Sequence, residues 1–143
     1  MRATIVAQSN IEFIWSSVEK FISDAFNKHD GDETEEDTRK LLEEGKAQLW
    51  IAHDGRGIRA AAVSRLATVP NGRRICFVMA CGGEGFDEWA RPGIAEIEKF
   101  AKANNCDAVR LSGRRGWRVY KKHGYKEPFV ILEKALNKCL TAV

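Results

Sequence analysis

The chain holds few of the residues that mark special chemistry. Among 143 residues there are 3 histidines, 4 cysteines, 3 prolines, 2 methionines and 2 tyrosines. The histidines are scattered and no two cysteines stand in a CxxC spacing, so neither a zinc site nor a redox motif is indicated. No apolar run approaches the roughly 18 residues that a membrane span needs. The opening MRATIVAQSN has one basic residue and no long apolar core, unlike a secretory leader. A cytoplasmic setting without metal is expected, with Cys76, Cys81, Cys106 and Cys139 as free thiols. Strand alternation puts Cys76 and Cys81, an odd offset apart, on opposite faces. There is no internal repeat and no low-complexity linker.

What is present is an ordinary globular composition, 44% hydrophobic and 30% charged, at a length suited to a single domain over residues 1–143. The net charge of +3 hides an uneven distribution. Residues 24–44 carry nine acidic and three basic side chains, whereas 110–126 carry seven basic and no acidic ones.

Hydrophobic periodicity orders the elements. Residues 4–7 suit a strand, and Ser9 with Glu12 has the spacing of a capping box. Ile11, Ile14, Trp15, Val18, Phe21, Ile22, Ala25 and Phe26 then recur at helical steps. Thr34 with Asp37 caps a second, acidic helix that ends before Gly45. Strands are expected over 48–53 and 58–69, joined by a DGRG turn, and over 75–81 after the Pro70-Asn71-Gly72 turn. Gly82, Gly83 and Gly85 interrupt the third of these. Ile94, Ile97, Phe100 and Ala101 define another helix, which Pro92 starts or kinks. A strand over 107–111, a basic helix over 114–123 and a strand over 129–134 complete the chain.

The segment GRRGWRVYKKHGY, residues 113–125, resembles the last helix of the GNAT acetyltransferase superfamily. That helix tends to read Asn, two residues, Ala, three residues, Tyr, three residues, Gly, then Phe or Tyr. Tyr120, Gly124 and Tyr125 fall in register, while Gly113 and Gly116 replace the Asn and Ala. The order of elements matches too. The resemblance implies an α/β fold (α+β by some schemes), with a mixed, mostly antiparallel sheet of roughly six to seven strands flanked by about four helices. Compact acetyltransferase-like proteins of tailed phages look similar.

In that superfamily the turn between the fourth strand and its following helix receives the pyrophosphate of acetyl-CoA on backbone amides and a helix N-terminus. Gly83 and Gly85 match the pattern's small positions, whereas Ala80 stands where the family has Arg or Gln. The resemblance implies cofactor contacts at Val78, Ala80, Cys81, Gly82, Gly83, Gly85, Phe86, Ser112 and Arg115. Glu84, Asp87 and Glu88 put negative charge close by. The same glycines also suit a tight strand-to-helix turn.

Tyr120 is then the candidate acid for the departing thiolate, or a packing residue of its helix. No carboxylate interrupts ICFVMAC, so Glu84 or a water chain is left as the base. The function implied is transfer of acetyl from acetyl-CoA to a primary amine, a small molecule or a protein lysine, by a monomer or homodimer with no membrane partner. Asp30, Asp32, Glu33, Glu35 and Glu36 would favour a cationic acceptor. Two other readings stay open. One is a binding or virion protein that kept the scaffold without efficient catalysis. The other is nucleic-acid binding through the basic helix, the less favoured of the two, and that helix suits the 3'-phosphate of coenzyme A equally well.

Overall fold

A computed structural model describes residues 1–27, 33–112 and 115–136, the side chains of 115, 116 and 118 excepted. Asp30, Asp32, Gly113, Arg114 and Cys139 lie outside the described residues.

Strand β1 (Arg2–Val6) leads through a 3-10 turn (Gln8–Asn10) into α1 (Ile11–Asn27), followed by α2 (Glu35–Glu43), β2 (Gln48–Asp54), β3 (Gly57–Thr68), β4 (Arg74–Gly83), α3 (Phe86–Ala103), β5 (Ala108–Leu111) and a 3-10 helix (Arg115–His123). The five strands form one sheet in sequence order, antiparallel except for the parallel β4–β5 pair. Among the described residues no helix is long and apolar enough to cross a membrane.

The helical stripe read from the sequence is the face that α1 buries. Ile11, Trp15, Val18, Phe21 and Ile22 pack with Leu42 of α2 on Leu49, Ala61, Val63 and Met79 of the sheet. At about 1.5–3 kcal/mol for each large side chain, this burial is what holds the two helices to the sheet. Thr34 caps α2 as expected, its hydroxyl accepting the Asp37 N–H at 3.2 Å. Ser9, by contrast, is taken up in the 3-10 turn instead of capping α1 from outside.

Helix α3 covers the opposite face, where Ile97 and Ala101 meet Trp50, Ala62, Cys76 and Val78. One polar chain is buried on that side. The Trp50 indole donates to the Ser64 hydroxyl at 2.8 Å, and the hydroxyl donates to Gln48 Oε1 at 2.9 Å.

The sequence-based expectations need correction in several places. β4 runs through Gly82 and Gly83 before the chain turns. α3 begins at Phe86, so Pro92 lies inside it. The basic segment is a 3-10 helix. Residues 129–134 form no strand, so the described sheet has five strands where six to seven were expected. Phe129, Val130, Ile131 and Leu132 stay exposed, and without a neighbouring strand edge their backbone has no ladder to join. Among the described residues three α-helices and two 3-10 segments stand in place of about four helices.

Candidate active site

A β-bulge in β4 shapes the candidate site. Val78 pairs with Ser64 and Ala80 with Val63, so Met79 is an extra residue on β4. Such an insertion bends its strand and reverses the alternation beyond it. Cys76 and Cys81 therefore both reach the α3 side of the sheet, and the expectation of opposite faces fails. Both remain free thiols.

The bulge is also where β5 parts from β4. Their last register pair is Val78 with Leu111, and the Ser112 N–H reaches the Val78 carbonyl only at 3.5 Å. Beyond it the Glu84 N–H bonds the Arg59 carbonyl at 2.9 Å. Ladder alternation then turns the Cys81 and Gly83 backbone groups away from β3, toward the side that β5 has left. A gap with strand-like polar groups on one wall results.

Side chains close the floor of this gap. Val78, Cys81, Leu111, Trp89, Trp117 and Tyr120 line an apolar pocket of about 40 Å³. The Trp117 indole donates to the Ser112 carbonyl at 2.9 Å, which pins the 3-10 helix to the end of β5. Tyr120 is 3% exposed and donates its hydroxyl to the Ala90 carbonyl at 2.8 Å. The rings of Phe86, Trp117, His123 and Tyr125 lie 5.8–6.5 Å from its centroid. Burial, with the neighbouring Cys81 and Glu98, pushes the Tyr120 hydroxyl well above the ordinary tyrosine range. Burial and a hydrogen bond to Glu98 at 2.7 Å do the same for Tyr125.

Each glycine of the turn has its own cause. A Cβ on Gly82 would overlap the carbonyl oxygen of Phe21, and one on Gly83 would overlap Ala60. Only Gly85 needs its conformation, with φ +67 at the N-cap of α3. Glu84 is exposed at this turn. Its carbonyl accepts the Trp89 indole at 2.9 Å, and the Tyr120 pocket does not include it. Ala80 is buried at the bulge and offers no cation.

The structure thus brings Val78, Cys81, Phe86, Ser112 and Tyr120 together, keeps Glu84 apart, and places Gly82, Gly83 and Gly85 at the mouth. The Arg115 side chain lies outside the described residues. Two residues escaped the reading of the sequence. Trp89 bolts α3 to the turn, and its place three residues after Phe86 was the available signal. Arg59 sits beside the turn, with Nη2 4.0 Å from where a Gly85 Cβ would stand and Nη1 3.8 Å from Asp54. Its Nε is buried without a partner. Nothing in the β3 sequence alone distinguishes it.

Burial pushes the Cys81 thiol up to about 12 and the Cys76 thiol up to about 11. At pH 8 no more than roughly a thousandth of either is thiolate, the reactive form. Both should react with a disulfide reagent at pH 8 far more slowly than an exposed cysteine, and the half-buried Cys81 should react before the buried Cys76 only if reagent reaches it, as peptide mapping by mass spectrometry will show. Labelling of Cys81 at the rate of an exposed thiol would mean that the gap is open to solvent.

Several solved structures with a similar fold bear the name acetyltransferase. A predicted acetyltransferase from Clostridium acetobutylicum, solved with acetyl-CoA, is 18% identical over 94% of this chain and 95% of that one, with a TM-score of 0.65. A ribosomal-protein-alanine N-acetyltransferase from Brucella melitensis is 11% identical over 95% of this chain and 100% of that one, at 0.68. A GNAT family acetyltransferase from Staphylococcus aureus is 16% identical over 94% and 97%, at 0.63. Identities this low establish the fold alone. No protein-family model matches the sequence, and no curated protein does.

Proposed function

We propose that this chain transfers an acetyl group from acetyl-CoA to an amine. The observation that carries the reading is the gap opened by the Met79 bulge between parallel β4 and β5, with Tyr120 at its floor and the N-terminus of α3 at its mouth. That the acetyltransferases above share this fold supports it.

The residues present fit such a cosubstrate at two places. The Cys81 and Gly83 edge offers peptide-like hydrogen bonds to an extended amide chain. The first turn of α3 offers amides and a positive dipole end to phosphates, with the Arg59 guanidinium alongside. Arg59 offsets part of the repulsion from Glu84, Asp87 and Glu88 and stands in for the cation that Ala80 lacks. The apolar pocket of about 40 Å³ is small, which favours a short acyl group.

Bound acetyl-CoA would supply an activated acyl carbonyl and a thiolate leaving group. Tyr120 holds its proton through the alkaline range and can offer it to the leaving sulfur once it turns from Ala90. Glu84, exposed at the mouth, reaches the acceptor nitrogen only through solvent, so a water chain is the base this geometry favours.

Calorimetric titration of the purified chain with acetyl-CoA at low salt is the test. A saturable heat, weakened by added salt, is expected from phosphate contacts. Absence of binding at about 1 mM would mean that even about 4 kcal/mol of affinity is missing, and a scaffold without acyl transfer would be the better reading.

A further inference from the structure

Arg65, Phe77 and Arg110 are register partners across β3, β4 and β5. Directly paired residues project from the same face, here the side on which α1 packs, because Phe77 lies against that cluster. The Arg65 guanidinium stands 5.6 Å from the Phe77 ring centre. Arg110 stands 5.3 Å from Phe77 and also 5.3 Å from Phe129, so one guanidinium is held over two rings.

A guanidinium positioned by aromatic rings keeps its N–H edge for hydrogen bonding, and that planar fork matches a carboxylate. Arg65 spends Nη2 on Glu33 at 3.3 Å, while its Nε is buried without a partner. Arg110 makes no ion pair among the described residues. Among the described residues two cations thus meet one carboxylate, an excess of positive charge on the side where a cationic acceptor was expected from the acidic 24–44 segment. The Glu33 carboxylate of that segment is already engaged, and Glu35 accepts a hydrogen bond from Ser23.

The position of this row gives it meaning. Phe77 and Arg110 immediately precede Val78 and Leu111, the last pair before the strands part. One residue along a strand is about 3.3 Å, so the row stands beside the start of the gap on its α1 face, opposite the face that Tyr120 closes, where an acceptor would approach an acyl group presented through the gap. We propose that Arg110, supported by Arg65, binds a carboxylate carried on the far end of the acceptor amine. This rests on the acetyltransferase reading and narrows its acceptor to an amino acid or an acidic peptide.

The test compares 4-aminobutyrate and 6-aminohexanoate with butylamine and hexylamine as acceptors, in wild type, R110Q and R110K. Wild type should prefer the amino acids about ten- to a hundredfold in kcat/KM, mainly through KM, as a charge-assisted hydrogen bond predicts. R110Q should abolish the preference, and R110K, with charge but no fork, should keep only part of it. Equal use of both acceptor types, or a preference that survives R110Q, overturns the proposal. A second measurement needs no turnover: in 15N-labelled protein, 6-aminohexanoate should shift the Arg110 Nε–H signal saturably, and hexylamine should not. If acetyl-CoA fails to bind, the acetyltransferase reading falls, while this titration still decides whether the carboxylate site exists.

Discussion

Replacing Gly82 by alanine is expected to destabilise the protein by about 2–3 kcal/mol, roughly 6–12 °C in Tm for a chain of this size. The added methyl meets the Phe21 carbonyl oxygen, with its carbon at 3.0 Å and Cα at 3.4 Å. These are backbone atoms inside α1, and they can retreat only if the helix lifts from β4. Phe21 and Ile22 are buried in that interface, so lifting the helix also loosens the core. Urea denaturation of both proteins gives the difference directly. A change below about 0.5 kcal/mol, the usual scale of a surface substitution, would mean that α1 does not approach β4 this closely.

The contrast with Gly85 sharpens the point. Its Cβ would have only the Glu88 carboxyl at 3.7 Å and Arg59 nearby, so alanine there meets strain from the positive φ and little else. That strain costs about 1–2 kcal/mol. Three glycines that read from the sequence as one phosphate-binding motif are thus held by two different demands. The motif is legible as spacing, but the reason for each glycine depends on what packs across from it.

Other elements differ in legibility for similarly local reasons. All of α1 could be read, because its burial follows a helical period that no other element interrupts. The bulge at Met79 could not, since FVMAC shows neither glycine nor proline to mark an inserted residue. That one residue decides which face Cys81 takes, and β5 parts from β4 beside it. The sequence leaves open whether Pro92 starts or kinks α3, because proline suits a first turn as well as a helix interior under strain. The real start is set by the αL conformation of Gly85 and by the Trp89 indole on the Glu84 carbonyl. Residues 129–132 have strand composition but stay 58–92% exposed, because composition alone does not supply a neighbouring edge.

Tyr120→Phe should have the largest effect on rate, a fall in kcat of about 10²- to 10⁴-fold if the hydroxyl assists the leaving thiolate. The dissociation constant for acetyl-CoA should stay unchanged, because Phe keeps the ring that Phe86, Trp117 and Tyr125 contact. Stability should drop by only about 1 kcal/mol, the worth of the lost bond to Ala90. The pH dependence adds an independent check. An acid must be protonated to act, and burial raises Tyr120 above its ordinary value of 10.0. Its ionisation should therefore cause no fall in rate from pH 7 to about 10. A hydroxyl so reluctant to ionise does not hand its proton fully to a thiolate, whose conjugate acid has a pKa near 8.5. In the proposed transfer it would instead stabilise the sulfur by a hydrogen bond, turning from the Ala90 carbonyl as negative charge develops. An unchanged kcat in the Phe variant would leave Tyr120 a packing residue. A loss of acetyl-CoA affinity equal to the loss of rate would place its effect in binding instead of the chemical step.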